Sequence, residues 1–366
     1  AHWSFYLTLG QLTRWLPLET ATWVGRWIIW SAMAVGWCSL ARCFVGRSSG
    51  VWLTAALMVV TTRWCHLSGE WVVGGAEAKG LAFSAVFLAL AAACRGRWGT
   101  AFLAGGIGAG FHVLVGGWTV LCLIAVAAYR WCLVERPSST SASHFGNVVG
   151  GLVVGGLFSL AGLLPALALS TASPQDINEA ANTIYVLHRL PHHLVFWAFQ
   201  PIQIVAFSSL LVLWLITLAQ IPTKSLSQKG ADPLEARRFS NLFQGLGGED
   251  QTPLGIGSKS NSLSSTSLSV ATTTLIQLVH AALGLAAIGL GLSLIVLFDD
   301  RWDQVAIGLL RYYWFRTADV FLPIGVVLIG CRWVLNHENA SDIHLHRASS
   351  PRSWLESPHR SGAILL

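Results

Sequence analysis

The sequence predicts an all-α fold, a polytopic transmembrane helix bundle of about nine spans. Three observations carry that expectation. Hydrophobic residues make up 54% of the chain and charged residues only 11%. Mean hydropathy is +0.58, so apolar runs account for most of the length. These runs suffice to cross a hydrocarbon core of ~30 Å, and Trp, Tyr and Arg recur at their ends, the pattern of helices anchored at membrane interfaces.

The first residues, AHWSFYLTLGQLTRWLPL, read as an interfacial amphipathic segment, because they lack the charged-then-apolar pattern of a signal peptide. Candidate spans follow at 23–43, 48–64, 80–94, 99–112, 114–133, 147–170, 193–219, 272–298 and 318–335. The 80–94 and 99–112 segments are short and are expected to be tilted, broken or partly inserted. Composition changes abruptly at 223, where a polar stretch runs into the low-complexity SKSNSLSSTSLS. The chain therefore divides into an N-terminal bundle (1–222), a Ser-rich cytoplasmic linker (223–271), C-terminal helices (272–335) and a cytoplasmic tail (336–366).

Threading these spans alternately puts about fifteen of the 23 lysines and arginines on one side and about seven opposite. The richer side, with Arg42, Arg47, Arg95, Arg97, Arg130, Arg136, Lys224, Arg237 and Arg332, is expected to be cytoplasmic. The first span then enters from outside, so this topology expects a further helix before Ala1. The expected location is the cell membrane, crossed several times. The +6 charge is spread over many short loops and forms no patch, which speaks against nucleic acid as a partner. Seven scattered cysteines without a CxxC pair indicate neither a disulfide framework nor a zinc knuckle.

With this topology, four non-cytoplasmic connections hold nearly every unusual polar group. Loop 64–79 brings His66, Glu70, Glu77 and Lys79; FHVLVGGW brings His112 and Trp118; segment 171–193 brings His188, Arg189, His192 and His193; loop 299–319 brings Asp299, Asp300, Arg311, Arg316 and Asp319. Together they are expected to form one polar, partly basic pocket. Each also has a plainer reading. Glu77 and Lys79 are too close in sequence to face each other across a helix turn and can be interfacial snorkellers. His112 can be a hydrogen-bonded packing group, although Gly116 and Gly117 permit a bend that exposes its imidazole to a cavity. Arg316 and Asp319, three apart, can pair on one helix face, either orienting a ligand-binding arginine or neutralising each other.

YVLHRLPHH (185–193) is the densest of these stretches. Pro191 resists helix continuation, which places Arg189, His192 and His193 at a helix mouth. Imidazoles there can donate to a phosphate, bind a metal or shuttle a proton, or merely anchor at the interface. The planar guanidinium of Arg189 suits phosphate, whereas no HExxH-like spacing supports a metal.

GGAEAKGLAF (74–83), FHVLVGGW (111–118), YVLHRLPHH and YYWFRTADVFLP (312–323) resemble motifs of an uncharacterised family of bacterial polytopic membrane proteins, a domain of unknown function. That family's architecture in turn is similar to GT-C-type glycosyltransferases. The resemblance implies a bacterial inner-membrane protein of cell-envelope assembly, moving a sugar from a polyprenyl-phosphate donor to a glycan or lipid acceptor outside the cytoplasm. It implies that Arg189, His192 and His193, with Lys79 or Arg316, hold the lipid phosphate, and that Glu70 or Glu77 takes the acceptor proton. His112 joins these as a candidate catalytic group, with Trp118 and Asp319 as candidate substrate contacts. The resemblance leaves the cofactor unknown. The same charges also fit a transporter or flippase for a polar or anionic solute, except that they gather at one face instead of the midplane.

Overall fold

The computed structural model describes residues 3–69, 71–134, 141–171, 173–221, 265–299 and 301–349. Among them every regular element is helical. Five helical stretches are long and apolar enough to cross a membrane: Val113–Leu133, Phe145–Ala168, Pro201–Ala219, Leu268–Phe298 and Ala318–Leu335. By these the chain is a multi-pass membrane protein.

The chain opens with α1 (Trp3–Leu7) and a 3₁₀ turn (Leu9–Arg14), whose Trp3, Tyr6 and Trp15 are exposed. Ser4 Oγ donates to the Gly110 carbonyl at 2.7 Å, tying this segment across one end of the bundle. Pro17 then starts α2 (Leu18–Ala41), followed by α3 (Ser48–Trp64), α4 (Ala78–Cys94) and α5 (Trp98–Phe111). A one-residue break at His112 separates α5 from α6 (Val113–Tyr129). Next come α7 (Ser141–Thr171), α8 (Gln175–Thr183), a π-helical turn (Ile184–Arg189), α9 (Pro191–Leu194) and α10 (Pro201–Ala219). The C-terminal part holds α11 (Ser265–Phe298), α12 (Asp303–Leu310) and α13 (Ala318–Ser349).

The 193–219 span expected from the sequence is shorter in the structure. Pro191 and Pro201 each restart the backbone, so residues 191–198 form two short turns and the long helix begins only at Pro201. The central element is α4, apolar all round and buried along nearly its whole length, as a helix surrounded by other helices must be. It packs against α2, α5, α6 and α11, while α13 packs against α3, α10 and α11. At about 1.5 Å per residue α4 reaches only ~26 Å, so its length suits a packed core better than a lipid-facing crossing. α5 meets α7 backbone to backbone: a Cβ on Gly106 would fall 2.1 Å from the Gly155 carbonyl oxygen. Such small-residue seams let helices associate where lipid gives no hydrophobic drive.

The two ends of the bundle differ. One carries the connections around 42–47, 95–97 and 130–134, and three of its arginines bond inward: Arg95 Nη1 donates to Ser39 Oγ at 3.1 Å, Arg130 Nη1 to Thr274 Oγ1 at 2.7 Å, and Arg332 to Thr272. The other end gathers loop 65–77, the His112 break, residues 173–200 and the strap 301–317. We call them the arginine-bearing and histidine-bearing ends. Most of the Ser-rich linker and the end of the tail lie outside the described residues, as do Glu70 and Asp300.

Candidate functional site

The histidine-bearing end is built on a loop-to-helix clasp. Asp319, in the first turn of α13, is fully buried. Its Oδ1 accepts from the Leu67 amide at 2.7 Å, and its Oδ2 accepts from the Ser68 amide at 2.9 Å and from Ser68 Oγ at 2.5 Å. A carboxylate can be buried only with such donors around it. The Asp319 carboxylate thus holds loop 65–69 against the start of α13.

That loop presents histidines. Ser68's carbonyl is hydrogen-bonded to Nδ1 of His193, and His66 Nδ1 accepts from the Gly69 amide at 3.1 Å. Gly69 has φ +71°, and a Cβ there would lie 2.7 Å from His193 Cε1. The rings of His192 and His193 are 4.1 Å apart. Tyr313, itself at φ 58°, lies 6.4 Å from His193 and carries the Arg316 guanidinium 4.3 Å above its ring. The hydroxyls of Tyr313 and Tyr185 are 2.9 Å apart. Burial holds His193 below its ordinary value, the charges of His192, Arg316 and His66 add to that, and the Ser68 carbonyl opposes it. Burial likewise lowers His66. His66 and His193, both half-buried, thus stand with the exposed His192 and the Arg316 guanidinium as one group of N–H donors around a fixed positive charge, suited to receiving an anion. Arg189 and His188 are exposed at the end of the π-helical turn, at the rim of this group in sequence.

Glu77 and Lys79 lie in a neighbouring part of the same loop. Contrary to the expectation from their spacing, they pair, Lys79 Nζ to Glu77 Oε2 at 3.5 Å. Glu77 precedes α4 in extended backbone, so helix geometry does not govern its side chain. Lys79 also stands 4.9 Å over the Trp71 ring, with Arg63 at 5.6 Å. Arg26 reaches the same spot from α2: a Cβ on Gly75 would lie 3.8 Å from Arg26 Nη2 and 3.6 Å from Glu77 Oε1. Its Nε is buried without a hydrogen bond, and its guanidinium stacks 4.8 Å over Trp23. Arg26 was legible as a charge inside an apolar run, a costly placement without a partner or cavity.

His112 takes the break itself. Its backbone is extended and its Nδ1 accepts from the Val115 amide at 3.4 Å, so the imidazole caps α6. The bend expected from Gly116 and Gly117 lies elsewhere; Gly116 serves close packing instead, since a Cβ there would fall 1.9 Å from the Ala109 nitrogen. Trp118 is buried, donates to the Tyr312 carbonyl at 2.7 Å and stacks 4.6 Å from Trp314. It thus anchors the 312–316 strap that carries Tyr313 and Arg316. Arg311 holds the same strap to α8 through Asn182 at 2.9 Å. Neither Tyr313, Tyr185 nor Asn182 carried a sequence signal of its own.

An apolar cavity of about 450 Å³ runs between α5, α6 and α7 and ends at Trp118 and Tyr312, beside this strap. Among the described residues no group of three His, Cys, Asp or Glu side chains is placed to hold a metal ion. No family model, no curated protein and no solved structure matches this chain.

Proposed function

We propose that the chain is an integral-membrane glycosyltransferase-like protein of GT-C-type architecture with about nine spans, acting in bacterial cell-envelope assembly. It takes a sugar from a polyprenyl-phosphate donor at the non-cytoplasmic face of the inner membrane. The observation that carries this reading is the gathering of His66, His192, His193 and Arg316 at one end, beside an apolar cavity that reaches Trp118 and Tyr312. An amphipathic donor needs both: fixed positive charge for the phosphate and apolar space for the chain. The arginine-bearing end then faces the cytoplasm.

In this reading the sugar C1–O bond to phosphate breaks, with the electron pair leaving on the polyprenyl phosphate. Arg316 and the imidazoles stabilise that developing charge more than the ground state. The acceptor oxygen bonds to C1 and passes its proton to Glu77, whose carboxylate sits among Lys79 and Arg26. Trp118 and Asp319 act as positioning residues by holding the strap and the loop.

The test is binding of polyprenyl phosphate to the purified full chain, with Arg316→Gln and His193→Gln as variants. Loss of a charge-assisted contact is expected to weaken binding roughly 10- to 100-fold. No binding by the wild-type chain would overturn the reading. Solute uptake by reconstituted vesicles without product formation would replace it with the transporter alternative.

A further inference from the structure

The arginine-bearing end holds a second cavity, independent of the transferase reading. It has a volume of about 620 Å³ and lies between the start of α5 and the facing part of α7. Its polar lining is Arg97, Thr100 and Asn147; its apolar lining includes Trp98, Leu103 and Val154. Leu103 is about one and a half turns into α5 from Trp98, and Val154 two turns into α7 from Asn147, so the lining changes from polar to apolar with depth, over roughly 8–10 Å. The space exists because side chains are missing: Gly96, Gly146 and Gly150 all line it, and a Cβ on any of them would meet nothing within 4 Å.

The arginines of this end are not equivalent. Arg95, Arg130 and Arg332 are engaged by Ser39, Thr274 and Thr272 within the bundle. Arg97 is exposed at the cavity, and its side chain makes no hydrogen bond, ion pair or ring contact among the described residues. The cavity is also open sideways among the described residues, since only 17% of the residues in the spanning window of α7 are buried in the bundle.

We infer that this cavity binds an anionic phospholipid of the arginine-facing leaflet, its phosphate on Arg97 and the first part of an acyl chain along Leu103 and Val154. Charge complementarity selects the head group, and the depth profile selects a lipid over a soluble anion. Basic pockets between membrane helices at the positive-inside face are suited to such head groups.

The full chain, reconstituted in vesicles, is examined by electron spin resonance with chain-labelled phosphatidylglycerol and phosphatidylcholine. Phosphatidylglycerol is expected to be held about fivefold more strongly, the preference one well-placed arginine supplies near the membrane surface. Arg97→Gln abolishes the preference, whereas Arg42→Gln, on the same face but outside the cavity, leaves it. Gly150→Phe fills open space and reduces retention of both lipids without disturbing the thermal midpoint. Equal retention of the two lipids by the wild-type chain, or a preference that survives both cavity variants, overturns the inference. So does full competition by inorganic phosphate, which would make the cavity a soluble-anion site.

Discussion

Asp319 holds Ser68 across 251 residues of sequence, accepting from both its amide and its hydroxyl. With the Leu67 amide this makes three donors on one fully buried carboxylate. Removing the acceptor strands all three, so Asp319→Ala is expected to cost roughly 3–5 kcal/mol. Asp319→Asn, which keeps the volume and one acceptor oxygen, costs less. Thermal unfolding in detergent checks the ranking; an unchanged midpoint for Asp319→Ala would mean that the clasp does not hold this end together.

Gly69→Ala tests how the clasp positions His193. The left-handed backbone at φ +71° disfavours any side chain by roughly 1–2 kcal/mol, and the new Cβ would press on the imidazole at 2.7 Å. Gly96 is the internal control, at φ +73° with nothing within 4 Å of its Cβ position. Gly96→Ala is expected to show the backbone cost alone, and Gly69→Ala the larger loss together with an altered His193 titration by NMR. Equal losses would show that His193 yields freely.

The same histidines set a pH dependence. Burial, reinforced for His193 by His192, Arg316 and His66, holds His193 and His66 below the ordinary 6.5 in the folded state. The unfolded chain then binds more protons than the folded one. Their contribution is complete above the unfolded value and is lost as pH falls through 6.5 toward the folded values. The thermal midpoint is therefore expected to drop between about pH 7.5 and about pH 5, and His193→Gln to flatten that drop. A steeper drop in the variant would reverse the sign argued for this residue.

The gathering of these polar loops at one end was legible because titratable groups are conspicuous in a chain this apolar and helices that run end to end return their connections to the same end. His192 and His193 at a proline-interrupted helix start follow from local backbone chemistry. The Asp319–Ser68 clasp does not, since a hydrogen bond over 251 residues leaves no local pattern. His112 fits its plainer reading as a hydrogen-bonded group, but the break falls at His112 itself, whose imidazole supplies the capping acceptor, and not at the adjacent glycines. The Glu77–Lys79 pair was hidden for a related reason: the spacing argument assumed a helix that starts one residue too late to apply.

If the proposed transferase reading holds, Glu77 separates the chemical step from donor binding. Its pairing with Lys79 is 44% exposed on the Glu77 side, so the pair contributes at most about 1 kcal/mol to stability. Glu77→Gln should therefore fold and unfold much like the wild-type chain. Under the proposed reading, in which Glu77 is the general base, the substitution is expected to lower turnover roughly 10²- to 10⁴-fold and to leave the proposed polyprenyl-phosphate binding at Arg316 and His193 in place. Turnover at the wild-type rate with binding intact would move the base to another carboxylate, and loss of binding instead of turnover would make Glu77 part of the donor site.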